Sequence, residues 1–401
     1  MMKKAFVGLI ALTMVTGLFL AVSASEAGKL IIWADDTRTP IFREIGEAYT
    51  ASTGILVEVV EMSMDDIREQ CITAAPVGAG PDMIVGAHDW IGKLVVNGTI
   101  VNLELPEDVL AQFDPVTLDA MSFGGKLYGV PYAREGVALV YNKDLVPVPP
   151  TTWDELIKIA RELTDPTVPQ YGFIVEYPFP YNCFGILSAL GGYVFGNNPD
   201  GSLNLCDIGL DSTGMILGAD LIDWLIEEGL MPAEVPWETM TGLLSEGRVG
   251  MVITGPWGIP IAEGGGVDVG VAPIPLICGQ PPRPFVGVPG VMVSAYSPNM
   301  AIVQDFLLNQ FITKGTQLAM YQHDPRIPAY MPAYEEVKED PILRGFAESI
   351  ANGIPLPNVP EMSAVWSTWS DAMALIGNQQ LEPPDALQQA AEKIRETLEC
   401  K

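Results

Sequence analysis

Three short segments, each following a run of apolar residues, carry the polar or aromatic side chains needed to hold a small ligand. They are Asp35-Asp36-Thr37-Arg38, Ala87-His88-Asp89-Trp90 and Gly255-Pro256-Trp257. Carboxylate and guanidinium groups form charge-assisted hydrogen bonds, and tryptophan offers a flat apolar face. In open α/β sheets, ligands bind at the loops that follow the carboxyl ends of strands. The three segments therefore predict a binding site built from strand ends.

The elements that would position these segments alternate between strands and helices. Residues 29–34 and 55–60 are predicted strands, and a helix between them begins at Thr39-Pro40 and ends at Gly54. Such a βαβ unit implies parallel pairing and a sheet covered by helices. Further strands are predicted at 81–86, 138–141 and 249–254, and further helices at 152–163, 215–228, 299–313 and 385–398. The pattern predicts an α/β fold, either a barrel or two doubly wound lobes.

The composition is acidic and rich in apolar residues. The 401 residues include 21 Lys and Arg against 50 Asp and Glu, a formal net charge of -29, and 48% are hydrophobic. Two domains fit this length at roughly 100–200 residues each. Nucleic acid is excluded as a partner because phosphate binding needs clustered cations. We expect no cofactor and no metal site, since the wide cysteine spacing is unlike that of metal ligands.

The N-terminus has the layout of a secretory signal peptide. Lys3 and Lys4 precede an apolar stretch at 5–22, and small residues follow, so cleavage is expected after Ala24 or Ala27. The alternative is an uncleaved membrane anchor. No cysteine lies in this stretch, and we therefore expect no lipid anchor. The sequence predicts a signal peptide at 1–24 and a mature protein in the periplasm.

Export permits disulfides among the five cysteines. They are Cys71, Cys183, Cys206, Cys278 and Cys400. Cys183 and Cys206 are the first pair to consider, because they are close in sequence and expected in the same lobe. The odd number leaves at least one free thiol or an intermolecular bridge.

Seven motifs, in order along the chain, carry a family resemblance. They are Lys29-Leu30-Ile31-Ile32-Trp33, Gly80-Pro81-Asp82 with Ala87-His88-Asp89, Tyr141-Asn142-Lys143-Asp144-Leu145, Gly191-Gly192-Tyr193, Thr254-Gly255-Pro256-Trp257, Pro284-Phe285-Val286-Gly287-Val288, and Pro357-Asn358-Val359-Pro360 with Met362-Ser363-Ala364. Together they make the sequence resemble the periplasmic maltose/maltodextrin-binding proteins of ABC sugar importers, over nearly the whole mature chain.

The resemblance implies a two-lobed α/β protein with sugar bound in the cleft between the lobes. It implies three crossings, near residues 134–137, 286–290 and 338–341. The N-terminal lobe would comprise 29–133 and 291–337, and the C-terminal lobe 138–285 and 342–401. The implied protein is a monomer that captures an oligosaccharide, delivers it to the permease subunits of an importer, and is not an enzyme.

The resemblance also implies a set of ligand-binding residues, whose chemistry suits a sugar. Sugar hydroxyls need hydrogen bonds, and the C–H faces of sugar rings pack on aromatic rings. The predicted ligand-binding residues are Asp35, Arg38, Asp89, Glu135, Tyr181, Trp237, Trp257 and Trp366, and further candidates are Asp36, Glu69, Trp90 and Glu176. For Trp33 we expect a core or cleft-floor position, and for His88 a structural role.

Four positions depart from the family pattern. Trp90 and Ser370 stand where the family has arginines, Ser367 where it has a tyrosine, and Phe179 where it has a glutamate. These changes remove polar groups and leave the linkage and length of the sugar open. Trehalose or another disaccharide is therefore an alternative ligand. A glycoside hydrolase using two carboxylates is the rival from another class.

Overall fold

The first strand is buried on both of its faces. The computed structural model describes residues 28–233 and 235–400, so the predicted signal peptide lies outside the described residues. In strand β1 (Lys29–Ala34), Leu30 and Ile32 pack into one hydrophobic cluster, while Ile31 and Trp33 pack into another. A strand covered on both faces must be apolar at every position, which explains its unbroken apolar sequence. The core position expected for Trp33 is confirmed.

The described residues form seventeen strands, several of them only two residues long. They are β1, β2 (Leu56–Glu61), β3 (Met83–Ala87), β4 (Ser122–Phe123), β5 (Lys126–Leu127), β6 (Gly129–Pro131), β7 (Ala133–Arg134), β8 (Ala138–Asn142), β9 (Tyr171–Val175), β10 (Phe195–Asn197), β11 (Leu203–Ile208), β12 (Val249–Thr254), β13 (Val269–Ala272), β14 (Phe285–Val286), β15 (Pro289–Val293), β16 (Ile327–Pro328) and β17 (Ile354–Pro355).

Sixteen α-helices alternate with these strands in the described part of the chain. They are α1 (Thr39–Thr53), α2 (Met64–Ala74), α3 (Ile91–Val96), α4 (Glu107–Leu110), α5 (Pro115–Ala120), α6 (Trp153–Leu163), α7 (Pro180–Ala189), α8 (Thr213–Glu227), α9 (Trp237–Ser245), α10 (Gly258–Gly264), α11 (Met300–Asp305), α12 (Lys314–His323), α13 (Met331–Val337), α14 (Pro341–Ser349), α15 (Met362–Gly377) and α16 (Pro383–Thr397).

Short helical segments of other kinds complete the set. Ala75–Val77, His88–Trp90 and Ile350–Asn352 are 3₁₀ turns, and Phe306–Phe311 continues α11 as a π-helix. No helix within 28–233 or 235–400 combines the length and apolar composition that crossing a bilayer requires.

Two larger sheets organise the fold. The five-stranded sheet has the order β2-β1-β3-β15-β6, and the four-stranded sheet has the order β13-β8-β12-β9. The predicted βαβ unit is confirmed, because β1 pairs in parallel with β2. Each sheet is nevertheless mixed: β15 runs antiparallel to β3 and β6, and β8 runs antiparallel to β12 and β13. The chain reaches β8 from β7 and β15 from β14, and neither β7 nor β14 belongs to a larger sheet. The βαβ rule applies to consecutive parallel strands of one sheet, so it does not set the direction of β8 or β15.

Each larger sheet has its own hydrophobic clusters. Two clusters cover the opposite faces of the five-stranded sheet. The largest cluster surrounds the four-stranded sheet, where all six residues of β12 are buried, and it includes α6, α7, α8, α15 and α16. The predicted capping box at the start of α6 is present, with Thr152 and Glu155 bonded to each other's backbone N–H groups.

Three short stretches of chain join elements that pack into different hydrophobic clusters. Residues 135–137 join β7 to β8, and residues 287–288 join β14 to β15. The first two lie side by side, because Glu135 N donates to Gly287 O at 2.9 Å and Gly287 N donates to Glu135 O at 2.8 Å. Residues 338–340 join α13, which packs on the five-stranded side, to α14, which packs against β13.

The disulfide differs from the pair considered in the sequence. Cys206 in β11 is bonded to Cys400, with 5.3 Å between the Cα atoms, and Cys183 is a free thiol. The Cys183–Cys206 hypothesis is wrong because every residue of α7, Cys183 included, is buried in the core. Strand β11 instead packs against α16, which brings the C-terminal cysteine to it. Cys71 is a second buried free thiol and Cys278 is an exposed one.

Candidate functional site

A cavity of about 680 Å³ lies between the segment that follows β1 and the helices α9 and α10. The segment after β1 lines one side with Asp36 and Thr37, and the end of α12 contributes Asp324. The start of α9, including Trp237, and the segment of α10 that follows Trp257 line the other side. Three predicted site residues, Asp36, Trp237 and Trp257, thus face the same space.

A group of buried polar side chains, which we call the polar wall, reaches this cavity through Asp324. Its members are Asp35, Arg38, Tyr132, Glu135, Asp324 and Arg326. Arg38 forms an ion pair with the carboxylate of Asp35, and its Nε donates to Tyr132 Oη at 2.5 Å. Burial opposes ionisation of Asp35, but the Arg38 guanidinium outweighs it and holds the pKa of Asp35 below its usual value.

Arg326 joins the remaining members of the polar wall. Its Nε lies 2.5 Å from Glu135 Oε2, and its Nη1 lies 2.8 Å from Asp324 Oδ2. The same Nη1 donates to Tyr132 Oη at 3.2 Å. Buried charges are tolerated only when they are paired and hydrogen-bonded, so the wall depends on both of its arginines, Arg38 and Arg326.

A connected set of aromatic rings, which we call the aromatic wall, reaches the cavity through Trp257. It consists of Phe179, Tyr181, Trp257, Phe285 and Trp366. Phe179 stacks on both Tyr181 and Trp366 with 6.0 Å between ring centroids, and Tyr181 lies 6.1 Å from Trp257. Phe179 is 45% exposed although it is a large apolar residue. Tyr181 and Phe285 are buried, so Phe179, Trp257 and Trp366 are the rings of this wall with exposed surface for packing on a sugar ring.

The aromatic wall contacts charged side chains at two points, one in the polar wall and one at Asp89. The guanidinium of Arg326 lies 5.6 Å from the centroid of the Trp257 ring. Trp366 Nε1 donates to Asp89 Oδ2 at 3.2 Å. Burial raises the pKa of Asp89 above its usual value. The predicted pair Asp89 and Trp366 thus comes together from opposite sides, although 277 residues separate them in sequence.

The further candidates lie in different environments. The ring of Trp90 is 3% exposed and packs over Gly86 in the core, because the 3₁₀ turn at His88–Trp90 directs it inward. Glu69 lies on the surface of α2, 2.7 Å from Lys93 Nζ. Glu176 accepts a hydrogen bond from Asn182 at 2.6 Å, and burial raises its pKa to about 7.

His88 links three parts of the chain. The backbone N–H of Val288 donates to His88 Nδ1 at 3.0 Å, so Nδ1 carries no proton and the protonated Nε2 donates to Leu356 O at 3.0 Å. Burial lowers the pKa of this imidazole, which keeps it neutral. The structural role expected for His88 is confirmed.

Sequence reasoning missed several polar residues at this site. Tyr132, Asp324 and Arg326 belong to the polar wall, and His323 lines the cavity beside Asp324. The available signal was the charged Asp324-Pro325-Arg326 directly before the apolar Ile327-Pro328. Phe179 was recognised only as a departure from the family pattern, whereas its ring belongs to the aromatic wall.

Known proteins with similar sequences show the family to which this chain belongs. Residues 44–345 match the family described as bacterial extracellular solute-binding protein. The galactooligosaccharide-binding protein of Bacillus subtilis is 29% identical over 95% of this chain and 92% of its own length. The maltotriose-binding protein of Pyrococcus abyssi is 31% identical over 85% of this chain and 75% of its own length. The maltodextrin-binding protein of Bacillus subtilis is 26% identical over 99% of both chains.

The chain belongs to the bacterial extracellular solute-binding protein family. The match runs from within α1 into α14 and includes the whole four-stranded sheet and all of the five-stranded sheet except β1.

Proposed function

We propose that this protein captures a maltodextrin-type oligosaccharide outside the cytoplasm and delivers it to an ABC importer without chemically changing it. The single observation that carries the proposal is that the polar wall and the aromatic wall both reach a cavity of about 680 Å³, which Asp324 of one and Trp257 of the other line. A saccharide needs two kinds of surface. Carboxylates bind its hydroxyls by hydrogen bonds, and aromatic ring faces pack against its C–H groups. The names of two relatives, a maltotriose-binding and a maltodextrin-binding protein, support this ligand class.

The proposed ligand residues are the eight predicted first from the sequence, namely Asp35, Arg38, Asp89, Glu135, Tyr181, Trp237, Trp257 and Trp366. Tyr181 supports their role, because its buried hydroxyl has no hydrogen-bond partner among the described residues. A buried unsatisfied hydroxyl costs about 1–3 kcal/mol, and a sugar hydroxyl would remove that cost. Trp257 and Trp366 would stack on sugar rings, and Asp89 and Glu135 would bind hydroxyls.

A galacto-oligosaccharide is the second candidate ligand. One specific observation favours it: the relative of that name aligns with 95% of this chain. Phe179, exposed in the aromatic wall, would serve either ligand, since both present C–H faces.

The proposed mechanism is closure of two lobes around the sugar. The five-stranded and four-stranded sheets would be the cores of the lobes, and the three stretches at 135–137, 287–288 and 338–340 would be the crossings. Because the sugar contacts both walls, it would bind the closed state more tightly and shift the population towards it. We place the mature monomer in the periplasm, after removal of a signal peptide at 1–24.

Calorimetric titration against maltose, maltotriose, β-1,4-galactotriose, trehalose and cellobiose tests the ligand class. We expect saturable binding of maltotriose or galactotriose, with no release of glucose or galactose after prolonged incubation. Binding of trehalose alone would replace the proposed ligand, and sustained sugar release would overturn the non-enzymatic role. Small-angle scattering with the bound sugar should show compaction, and an unchanged radius of gyration would contradict closure.

A further inference from the structure

Asp324 has unusual surroundings for a buried carboxylate. It is 7% exposed and lies between the large cavity and a second cavity of about 20 Å³ that is also lined by Arg38, Tyr132 and Arg326. Neither of its carboxylate oxygens accepts a well-directed hydrogen bond from the described residues. An ionised carboxylate can accept about four hydrogen bonds, so its acceptor capacity is almost unused.

Arg326 cannot satisfy Asp324 fully, because it serves two carboxylates. Its Nε is directed to Glu135 at 2.5 Å, and only Nη1 approaches Asp324, at 2.8 Å. The polar wall contains three carboxylates, those of Asp35, Glu135 and Asp324, against the two guanidinium groups of Arg38 and Arg326. The wall therefore has one carboxylate more than it has guanidinium groups, and burial raises the pKa of Asp324 above its usual value.

The backbone holds Asp324 in a fixed position. Its N–H donates to Met320 O at 3.0 Å at the end of α12, and Arg326 N donates back to Asp324 O at 2.7 Å. The two residues after Arg326 form β16, which pairs with β7. A carboxylate fixed by both a helix end and a strand is preorganised to bind a ligand.

From this geometry we infer that Asp324 is a direct ligand-binding residue that accepts hydrogen bonds from neutral sugar hydroxyls, with Arg326 as its positioning residue. The inference rests on the proposed function and adds a specificity: the uncompensated carboxylate selects neutral polyhydroxy solutes and repels uronic acids or phosphorylated sugars. Arg326 pairs with the Asp324 carboxylate, and its guanidinium also lies over the Trp257 ring. It therefore positions the carboxylate relative to that ring.

Titration of maltotriose and β-1,4-galactotriose into wild-type protein and Asp324→Asn tests the inference. Asparagine keeps the shape but replaces one acceptor with a donor, so we expect affinity to fall about tenfold to a hundredfold. The matched control is Asp268→Asn, because Asp268 is exposed and pairs with Lys143 far from the walls. An Asp324→Asn affinity within threefold of wild type would overturn the inference while leaving the proposed function intact. Wild-type protein that binds neither sugar would overturn both.

A ligand-side comparison separates binding from folding. Deoxy analogues of the bound sugar each lack one hydroxyl, and the affinity of each is compared with that of the parent sugar in both proteins. We expect one analogue to bind wild-type protein about tenfold more weakly than the parent sugar, but to bind Asp324→Asn as well as the parent sugar does. If every deoxy analogue weakens both proteins equally, Asp324 contacts no hydroxyl. Should Asp324→Asn fail to fold, Asp324→Glu keeps the charge but displaces the acceptor, and the same outcomes apply.

The role of Arg326 is tested by a double-mutant cycle. Arg326→Lys should weaken binding in wild type about tenfold, yet have little further effect in Asp324→Asn, because Arg326 acts through that carboxylate. Equal losses in both backgrounds would show that Arg326 only supports the fold or contacts the ligand itself, and would overturn its positioning role.

Discussion

The polar wall and the aromatic wall reach the same cavity, through Asp324 and Trp257, but are built in opposite ways. Each arginine of the polar wall contacts several partners, so removing one group leaves others buried without compensation. The aromatic wall consists of ring contacts near 6 Å, each contributing separately. We therefore expect substitutions in the polar wall to affect folding as well as binding, whereas substitutions in the aromatic wall should affect mainly binding.

The largest effect is expected from Glu135→Gln in the polar wall. This change leaves the buried Arg326 with a single carboxylate partner, Asp324, and should lower the free energy of unfolding by about 3–5 kcal/mol. Urea denaturation measures the change. The control is Glu246→Gln, which removes an exposed ion pair with Arg248 and should change stability by at most about 0.5 kcal/mol. Equal stability of the two variants would show that the polar wall is not cooperative.

Glu176, a carboxylate at the end of β9, should make stability depend on pH. Its pKa of about 7 lies above that of an unfolded glutamate, so the folded protein binds the proton more tightly between about pH 4.5 and 7. This group's contribution to stability is therefore present below that window and is lost as pH rises through it, by up to about 3 kcal/mol.

Glu176→Gln should remove this pH dependence, since glutamine can still accept the hydrogen bond from Asn182. Denaturation of wild type and variant from pH 4 to pH 8 checks it. The variant should become more stable relative to wild type as pH rises. Parallel stability curves would show that Glu176 titrates at its ordinary pKa.

Trp366→Ala should weaken sugar binding by about 30-fold, or ~2 kcal/mol, while lowering stability less than Glu135→Gln. The matched control is Trp224→Ala, since Trp224 is also half-buried but packs under Arg161 away from the walls. Calorimetry of both variants separates lost stacking from a general effect of losing a tryptophan. Equal affinities for the two variants would remove Trp366 from the site.

Phe179→Ala is expected to have the smallest effect, about fivefold in affinity or ~1 kcal/mol, because the exposed ring has little packing to lose. Phe179→Tyr keeps the ring and should bind like wild type. If Phe179→Ala destabilises the fold as strongly as Glu135→Gln does, the distinction between the two walls fails.

Features set by neighbouring residues could be predicted from the sequence. The unit β1-α1-β2 and the capping box at Thr152 depend on local patterns and were predicted closely. The Cys206–Cys400 bond, by contrast, joins residues 194 positions apart, and no local pattern indicates that α16 returns to β11.

The candidate site shows the same division. The strand-end rule and the family resemblance led to Asp89 and Trp366, which the structure brings together. They could not identify Arg326, because its importance comes from burial beside Glu135 and Tyr132, both more than 190 residues away. Trp90 was a candidate because it follows Asp89, but sequence position does not reveal the direction in which a 3₁₀ turn directs a ring.

The bond between Cys206 and Cys400 has a practical consequence for producing this protein. It fastens the end of α16 to β11, beside the pairing of Arg395 with Asp211 at 2.8 Å. Disulfides form in oxidising compartments and are kept reduced in the cytosol. Protein made in a reducing cytosol would therefore have a C-terminus that is not covalently fastened, and an affinity tag placed after residue 400 would be more open to proteases there than in exported material.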